Sequence, residues 1–257
     1  MAVRPAGGGE YTIRWRDGAS RVAEIPGRDI LGRMSRHIRI AFALLALACT
    51  PFRRPEPAPV NTPELATVSD TVADSLLVEL QRLDTTLLID MRYSTANNFT
   101  GAPLPGYEAN KAYLRAEAAV ALLLASADLG AEGYALKILD AYRPVRASEA
   151  MVAWTERENR GDLLRDGYIA SRSRHNLGVA VDLTLVEAST RADLAMGSPF
   201  DMFSRASHTA NAAGVAARHR QVLKAAMERH GFENYEKEWW HYSYNVENPV
   251  RFDRVIR

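Results

Sequence analysis

The sequence predicts an α+β fold, with a mainly antiparallel sheet and helices packed around it. Runs typical of strands and runs typical of helices follow each other in mixed order, and the strand-like runs are short. Hydrophobic residues make up 47% of the chain, which is an ordinary fraction for a packed core. Residues 1–76 differ from the rest in composition, so we expect a single domain over 77–257.

Periodicity and turn signals define the first half of this domain. Residues 87–93 are typical of a strand and lead into turns rich in Asn, Gly and Pro. Residues 111–128 are rich in Ala and Leu at helical spacing, which predicts a buried helix. A second strand is predicted over 134–142. Pro144 can then open a helix to about Asn159, because the first helical position needs no N–H.

The second half contains two more strands and a helix. Residues 179–186 alternate, which places Val181 and Leu183 on one face of a strand and Asp182 on the other. Residues 211–229 predict a helix that ends at Gly231. The aromatic-rich residues 239–244 predict a final strand.

Charge and cysteine content argue against two kinds of site. The 32 Lys and Arg balance 31 Asp and Glu, and a net charge of +1 gives no electrostatic reason to expect a nucleic-acid partner. The single cysteine, Cys49, excludes a disulfide within the chain and a Cys-rich structural zinc site. Any metal must therefore be held by histidines and carboxylates.

Residues 34–49 resemble a bacterial lipoprotein-type signal peptide. Arg36 and Arg39 precede an apolar stretch over 40–48, which is far shorter than the roughly 20 residues of a membrane-spanning helix. Small residues precede Cys49, as at a cleavage site, and the resemblance implies that Cys49 is lipidated. A plain secretory signal, or a short core helix with one buried cysteine, is the alternative.

The flanking segments complete this organisation. Residues 1–33 lack apolar periodicity, so we expect a mis-called start, with translation beginning at Met34, or a disordered extension. Residues 50–76 begin with a run of prolines that predicts an extended tether. The domain would then be exported, periplasmic or at the cell surface, and associated with a membrane through the lipidated N-terminus.

Two short segments carry the candidate chemistry: SRHNLGVAVD over 173–182 and EWWH over 238–241. Three N/O ligands with an open fourth position fit a catalytic zinc, and a nearby glutamate can move a proton. The pattern predicts metal-assisted hydrolysis of an amide, whereas a His–Asp pair alone is more often a structural hydrogen bond. The candidate ligands are His175, Asp182 and His241, and the second carboxylate is Glu238.

The predicted geometry needs one irregularity. Gly178 is compatible with a turn between His175 and the strand that carries Asp182, while His241 arrives from a second strand. Glu238 cannot share a strand face with His241 by simple alternation, so we expect a bend or bulge around residues 239–240.

Arg143 completes the candidate site. It ends the predicted strand directly before Pro144, and a residue before proline is held extended, which fixes its direction. An arginine at that point can stabilise the oxyanion that forms when an amide is attacked. The alternative is a structural ion pair with Asp140.

Taken together, these residues resemble the zinc D-alanyl-D-alanine dipeptidases of the vancomycin-resistance type, peptidase family M15. The resemblance covers about residues 78–257 and includes the DAYRP run over 140–144, the DMRY run over 90–93, and segments around Met196, Phe200 and Ser207. It implies the fold shared by zinc D,D-carboxypeptidases and the hedgehog signalling domain. Ala141 stands where Gly is frequent in the family.

The resemblance also implies roles for individual residues. One Zn²⁺ per chain would be held by the two histidines and Asp182, with Glu238 as general acid/base and Arg143 stabilising the transition state. Asp201 lies in a matching segment and is our candidate for binding the substrate ammonium. Ser173 and Tyr168 are candidates for contacts near the substrate carboxylate.

Two alternatives to a dipeptidase remain at this point. A D,D-carboxypeptidase would trim longer peptidoglycan peptides, and the difference depends on whether residues 187–210 close the site around a free N-terminus. A zinc-containing binding lipoprotein would need neither Glu238 nor Arg143. The leader puts an antibiotic-resistance role in doubt and favours the turnover of wall-derived D,D-dipeptides.

Overall fold

The computed structural model describes residues 65–257 and, before them, the backbone of residues 2–5, 10–14 and 20–24. The chain divides into two compact units, Met1–Thr62 and Pro63–Arg257. In the first unit, three strands pair in order as an antiparallel meander. They are β1 (Ala2–Pro5), β2 (Glu10–Arg14) and β3 (Ser20–Glu24).

Several predictions for the N-terminal part remain untested. The signal peptide over 34–49, its Cys49 and the proline run of the tether lie outside the described residues. The start of translation at Met34 also stays a prediction. Strands β1 to β3 lie within residues 1–33, where we had allowed a disordered extension.

The folded unit begins before residue 77, where the sequence had placed the end of the tether. Ser69 is the N-cap of helix α1 (Asp70–Leu76), and its hydroxyl accepts a hydrogen bond from the Val72 amide at 3.5 Å. Ala73 of this helix is buried in the core, and the Val68 amide donates to the Arg251 carbonyl at 2.9 Å. These contacts tie residues 67–76 to the domain, and no composition signal indicated them.

A five-stranded sheet lies at the centre of the second unit, in the order β5-β7-β8-β10-β9. Strands β5 and β7 are parallel, while the other three pairs are antiparallel, so the predicted mainly antiparallel sheet is confirmed. Both faces of β8 are buried except at its last residue. The strands are β5 (Leu88–Ile89), β7 (Tyr134–Asp140), β8 (Ala180–Glu187), β9 (Phe232–Asn234) and β10 (His241–Tyr244).

Helices pack against this sheet and against each other. The long helices α3 and α6 contact one another, α3 contacts β7, and α6 contacts β9 and β8. Among the described residues, no helix is both long enough and apolar enough to cross a membrane. After α1 the helices are α2 (Leu80–Leu83), α3 (Ala116–Ala131), α4 (Val145–Arg157), α5 (Gly161–Arg165) and α6 (Gly214–Arg229).

The predicted elements are largely present, with three differences. The predicted helix over 111–128 starts only at Ala116, because β6 (Tyr113–Arg115) pairs with β4 (Leu77–Glu79) in a separate two-stranded sheet. The first predicted strand is reduced to β5, since the chain enters a 3₁₀ turn at Arg92–Ser94. The final strand begins at His241, after a turn.

A left-handed residue shapes the turn before β8. Gly178 follows a 3₁₀ turn over Arg174–Leu177 and has a φ of 63°. A Cβ at this position would lie 2.6 Å from the Leu77 Cδ2 and 3.4 Å from the Arg115 amide nitrogen. The turn that presents His175 therefore requires glycine for both its conformation and its space.

We expect Gly178→Ala to lower the free energy of unfolding by about 2–3 kcal/mol, measured by urea denaturation. Gly133→Ala is the matched control, because Gly133 has a φ of 86° but a Cβ added there would meet no atom within 4 Å, so only the backbone cost of ~1 kcal/mol applies. Equal losses in the two variants would show that the Leu77 contact relaxes without cost.

Candidate metal centre and active site

Sheet register brings two of the predicted ligands together. Strands β8 and β10 are antiparallel neighbours, and His241 lies directly opposite Asp182. Residues paired in this way project from the same face of a sheet with their Cβ atoms about 5 Å apart. His175 joins them from the 3₁₀ turn that precedes β8, as the sequence predicted.

The three donor atoms converge. The Asp182 Oδ1 lies 2.9 Å from the His241 Nδ1 and 3.4 Å from the His175 Nε2, and the two imidazole nitrogens are 3.1 Å apart. His175 and Asp182 are buried, and His241 is partly buried. Two imidazoles and one carboxylate at these separations fit a catalytic zinc, which keeps its fourth position for water or substrate.

A backbone contact orients His175 toward this cluster. Its Nδ1 donates to the Ala141 carbonyl at 2.6 Å, so the Nδ1 carries the proton and the Nε2 presents a lone pair. Such an outer hydrogen bond fixes both the tautomer and the ring of a metal-binding histidine. The Asp140 Oδ2 lies 3.4 Å from the same Nδ1.

The predicted bend before β10 is present. The Glu238 amide donates to the Tyr235 carbonyl at 2.9 Å, and the His241 amide donates to the Glu238 carbonyl at 3.3 Å, so the chain turns twice within seven residues. Trp239 and Trp240 occupy the turn and are buried. Glu238 and His241 therefore line the same cavity although simple alternation would separate them.

Burial shapes the protonation of Glu238. Desolvation raises the pKa of its carboxyl well above the ordinary value, the nearby Asp182 and Asp201 carboxylates add to the effect, and Arg143 opposes it. For Asp182, burial alone would raise the pKa, but His175 and His241 outweigh it and lower the pKa. Adjacent carboxylates thus have pKa values pushed in opposite directions, as in sites of acid–base chemistry.

The ion pair that the sequence allowed between Arg143 and Asp140 is present, and it leaves Arg143 lining the cavity. Its Nε and Nη2 donate to the Asp140 Oδ2 at 2.9 and 2.8 Å, while the Nη2 lies 3.8 Å from the Asp182 Oδ2. The ion pair with Asp140 therefore holds the guanidinium beside the ligand cluster. Asp140 is itself fixed, because the Tyr107 hydroxyl donates to its Oδ1 at 2.6 Å.

Asp201 lies within the same cavity, in a left-handed conformation with a φ of 58°. The Tyr93 hydroxyl donates to both of its carboxylate oxygens at 3.1 Å. Burial, reinforced by the Asp182 charge, raises the pKa of Asp201 to about 8. A partly buried carboxyl whose pKa is raised in this way is suited to receive a cation from a ligand.

The remaining candidates also line the cavity. The Ser173 hydroxyl accepts from the His175 amide at 3.3 Å and so caps the ligand-bearing turn. The Tyr168 hydroxyl shares a hydrogen bond of 3.0 Å with the His208 Nε2. Only Cys49 of the predicted set lies outside the described residues.

The cavity itself measures about 280 Å³, near the lower end of the range for small-molecule sites. Aromatic contacts build part of its wall: the Phe99 ring lies 5.0 Å from that of Phe203, and the Phe203 ring lies 5.8 Å from that of Tyr168. The sequence did not identify Tyr93, Phe99 or Phe203 as site residues, although Tyr168 of the aromatic wall was a candidate. Tyr93 stood in a family-like segment, which is the signal that could have identified it.

Comparison with known proteins finds similar sequences. A sequence model described as D-ala-D-ala dipeptidase matches residues 74–255. The chain is 40% identical over 169 residues to a D-alanyl-D-alanine dipeptidase of Enterococcus faecium, covering 60% of this chain and 83% of that protein. It is 34% identical over 175 residues to one of Streptomyces coelicolor, covering 62% and 86%.

A solved structure is also similar. It is the vancomycin-resistance D,D-dipeptidase VanXYg in complex with a D-Ala-D-Ala phosphinate analogue, at 18% identity and a TM-score of 0.36, covering 67% of this chain and 68% of that one.

We expect Asp201→Asn to stabilise the metal-free protein at pH 8 by on the order of 1 kcal/mol, measured by urea denaturation in EDTA. Because the folded pKa of about 8 lies above the unfolded value, the native state loses stability as pH rises from about 4 to 8. The difference between variant and wild type should therefore shrink toward pH 4. A difference independent of pH would contradict burial of this carboxyl.

Proposed function

The chain belongs to the D-alanyl-D-alanine dipeptidase family, and from that premise we propose that it hydrolyses the D-alanyl-D-alanine dipeptide with one zinc ion held by His175, Asp182 and His241. The observation that carries the assignment is the convergence of these three donors in a buried cluster, beside Glu238 and Arg143. Zinc in such a site supplies Lewis acidity, which polarises an amide carbonyl and brings the pKa of water toward neutrality.

Glu238 is the proposed general acid/base. Its carboxylate takes a proton from the attacking water and returns it to the leaving amine nitrogen. The burial that raises its pKa brings that pKa nearer the working pH, which makes both transfers effective. Its place on the turn before β10 keeps it next to His241 without making it a ligand.

Arg143 is the proposed electrostatic stabiliser. Negative charge develops on the carbonyl oxygen when the amide is attacked, and a guanidinium held in place needs no reorganisation at that moment. Asp140 and Tyr107 supply this rigidity through their hydrogen bonds. Two guanidinium nitrogens donate to the Asp140 Oδ2, a contact that arginine can make and lysine, with its single ammonium nitrogen, cannot.

The two ends of the dipeptide are assigned to different walls of the cavity. Asp201, oriented by Tyr93, receives the free ammonium. Burial raises the pKa of this carboxyl, and the ammonium replaces the proton that the carboxyl would otherwise bind. Ser173 and Tyr168 contact the carboxylate end, as the resemblance implied.

A D,D-carboxypeptidase acting on longer peptides is the second candidate. The segment over 187–210 argues for the dipeptide, because it places the Asp201 carboxylate and the Phe203 ring at the cavity wall. The Glu238 and Arg143 pair argues against a purely binding protein, since holding a metal requires neither. Turnover of wall-derived peptides at an exported location rests on the leader sequence alone.

Cleavage of three peptides by zinc-loaded protein tests the proposal: D-Ala-D-Ala, L-Ala-L-Ala and N-acetyl-D-Ala-D-Ala. We expect selective release of D-alanine from the free D,D-dipeptide, measured by amino-acid analysis. Cleavage of the acetylated peptide alone would assign a carboxypeptidase. Zinc binding without any cleavage would assign a binding protein.

We expect Glu238→Gln to retain one zinc per chain and to lower kcat by about 10²–10⁴-fold, because only the proton transfer is removed. Metal content by atomic emission and steady-state kinetics on D-Ala-D-Ala measure the two effects. Glu236→Gln is the matched control, since Glu236 is exposed two residues earlier and should keep wild-type turnover. Loss of zinc from Glu238→Gln would overturn the assigned role.

A further inference from the structure

Arg220 of α6 is buried outside the catalytic cavity, with 1% of its surface exposed. Its guanidinium donates to three backbone carbonyls: Nε to Met196 at 2.6 Å, Nη1 to His208 at 2.7 Å and Nη2 to Ala206 at 3.0 Å. Within residues 65–257 it forms no salt bridge with a carboxylate, and burial lowers its pKa. A buried charge held only by neutral acceptors costs stability, and such exceptions concentrate at functional sites.

The three carbonyls lie at the two ends of one segment, residues 196–208. This segment contains a single short 3₁₀ turn, Arg205–Ser207, so its shape depends on tertiary contacts. Gly197 has a φ of 86°, and a Cβ there would lie 3.2 Å from the Arg220 Nη2, so glycine permits this close approach. Asp201 lies between the clamped ends and has a left-handed backbone, with a φ of 58°.

The same guanidinium reaches the turn that carries Glu238. Its carbon lies 5.7 Å from the centre of the Trp239 ring. The Trp239 Nε1 donates to the Ser198 Oγ at 2.9 Å, and the Trp239 amide donates to the Ser207 carbonyl at 3.0 Å. Because Trp239 directly follows Glu238, the segment over 196–208 and the Glu238 turn are joined through one contact network.

We propose that Arg220 is a positioning residue for the dipeptidase reaction, which fixes Asp201 for ammonium recognition by clamping both ends of residues 196–208 against Trp239. The inference rests on the proposed function. Lysine cannot replace the arginine, because a single ammonium cannot reach carbonyls that the planar guanidinium contacts from three nitrogens. Loosening the clamp therefore displaces Asp201 while the ligands on β8 and β10 keep their places.

Kinetics of Arg220→Lys in the zinc-loaded full chain test the proposal, with D-Ala-D-Ala and D-lactoyl-D-alanine as substrates. The second compound keeps the amide but replaces the ammonium by a hydroxyl. We expect kcat/KM for D-Ala-D-Ala to fall at least ~10-fold, mainly through a higher KM. The ratio of kcat/KM for D-Ala-D-Ala to that for D-lactoyl-D-alanine should fall by a similar factor. Equal losses on both substrates, or wild-type kinetics, would overturn the proposal.

Arg218→Lys is the matched control, because Arg218 is an exposed arginine on the same helix. It should leave both substrates unaffected. The zinc content of both variants should stay at one per chain, since neither residue contacts the ligand cluster.

Hydrogen exchange separates failure of this proposal from failure of the proposed function. Amides of residues 197–208 should exchange at least ~10-fold faster in Arg220→Lys than in the wild type, while those of β8 stay unchanged. This readout needs no turnover, so a wild type that does not cleave D-Ala-D-Ala would refute the function and leave the clamp measurable. Unchanged exchange would refute the clamp.

Ser198→Ala serves if Arg220→Lys does not fold. It removes the hydroxyl that accepts from the Trp239 Nε1 and lies 3.4 Å from the Arg220 Nη2. We expect the same effects at smaller size. KM for D-Ala-D-Ala should rise at least ~3-fold, and the amides of residues 197–208 should exchange at least ~3-fold faster. Wild-type values in both measurements would overturn the proposal.

Discussion

The pairing register between β8 and β10 is the constraint on which the site depends. Asp182 and His241 meet because they are direct cross-strand partners, and a shift by one residue would turn one of them to the opposite face of the sheet. The register is fixed by burial of both strands, since Val181 and Tyr242 occupy the core as an adjacent pair. Packing of Val181 and Tyr242 in the core therefore also places Asp182 and His241 together on the opposite face of the sheet, because side chains alternate along a strand.

The cost of this cluster is electrostatic. Three carboxylates lie close enough for the charge of one to raise the pKa of another: those of Asp182, Asp201 and Glu238. The two cations that we propose as ligands, a metal at the histidines and an ammonium at Asp201, would relieve this repulsion. Binding of these cations would therefore also stabilise the folded protein, because they add positive charge to that of Arg143.

Local patterns in the sequence predicted those features that depend on neighbouring residues. The strand over 134–142, the helix after Pro144 and the turn at Gly178 all follow from residues within a few positions. The convergence of His175, Asp182 and His241 was also predicted, because chemically distinctive residues stand in both segments. Contacts between distant residues were not predicted: β4 pairs with β6, and Tyr93 bonds Asp201 across 108 positions. The hydrogen bonds from Arg220 to backbone carbonyls could not be predicted either, because every residue type supplies a carbonyl.

Residues near both ends of the second unit are joined by hydrogen bonds, and the same contacts reach the candidate site. The Val68 amide donates to the Arg251 carbonyl, and the Arg251 amide donates to the Ala66 carbonyl. The Phe252 amide donates to the Asn176 carbonyl, directly beside His175. Phe252 thus stabilises the turn that carries His175 although it does not line the cavity, so the last part of the described chain supports the site from outside it.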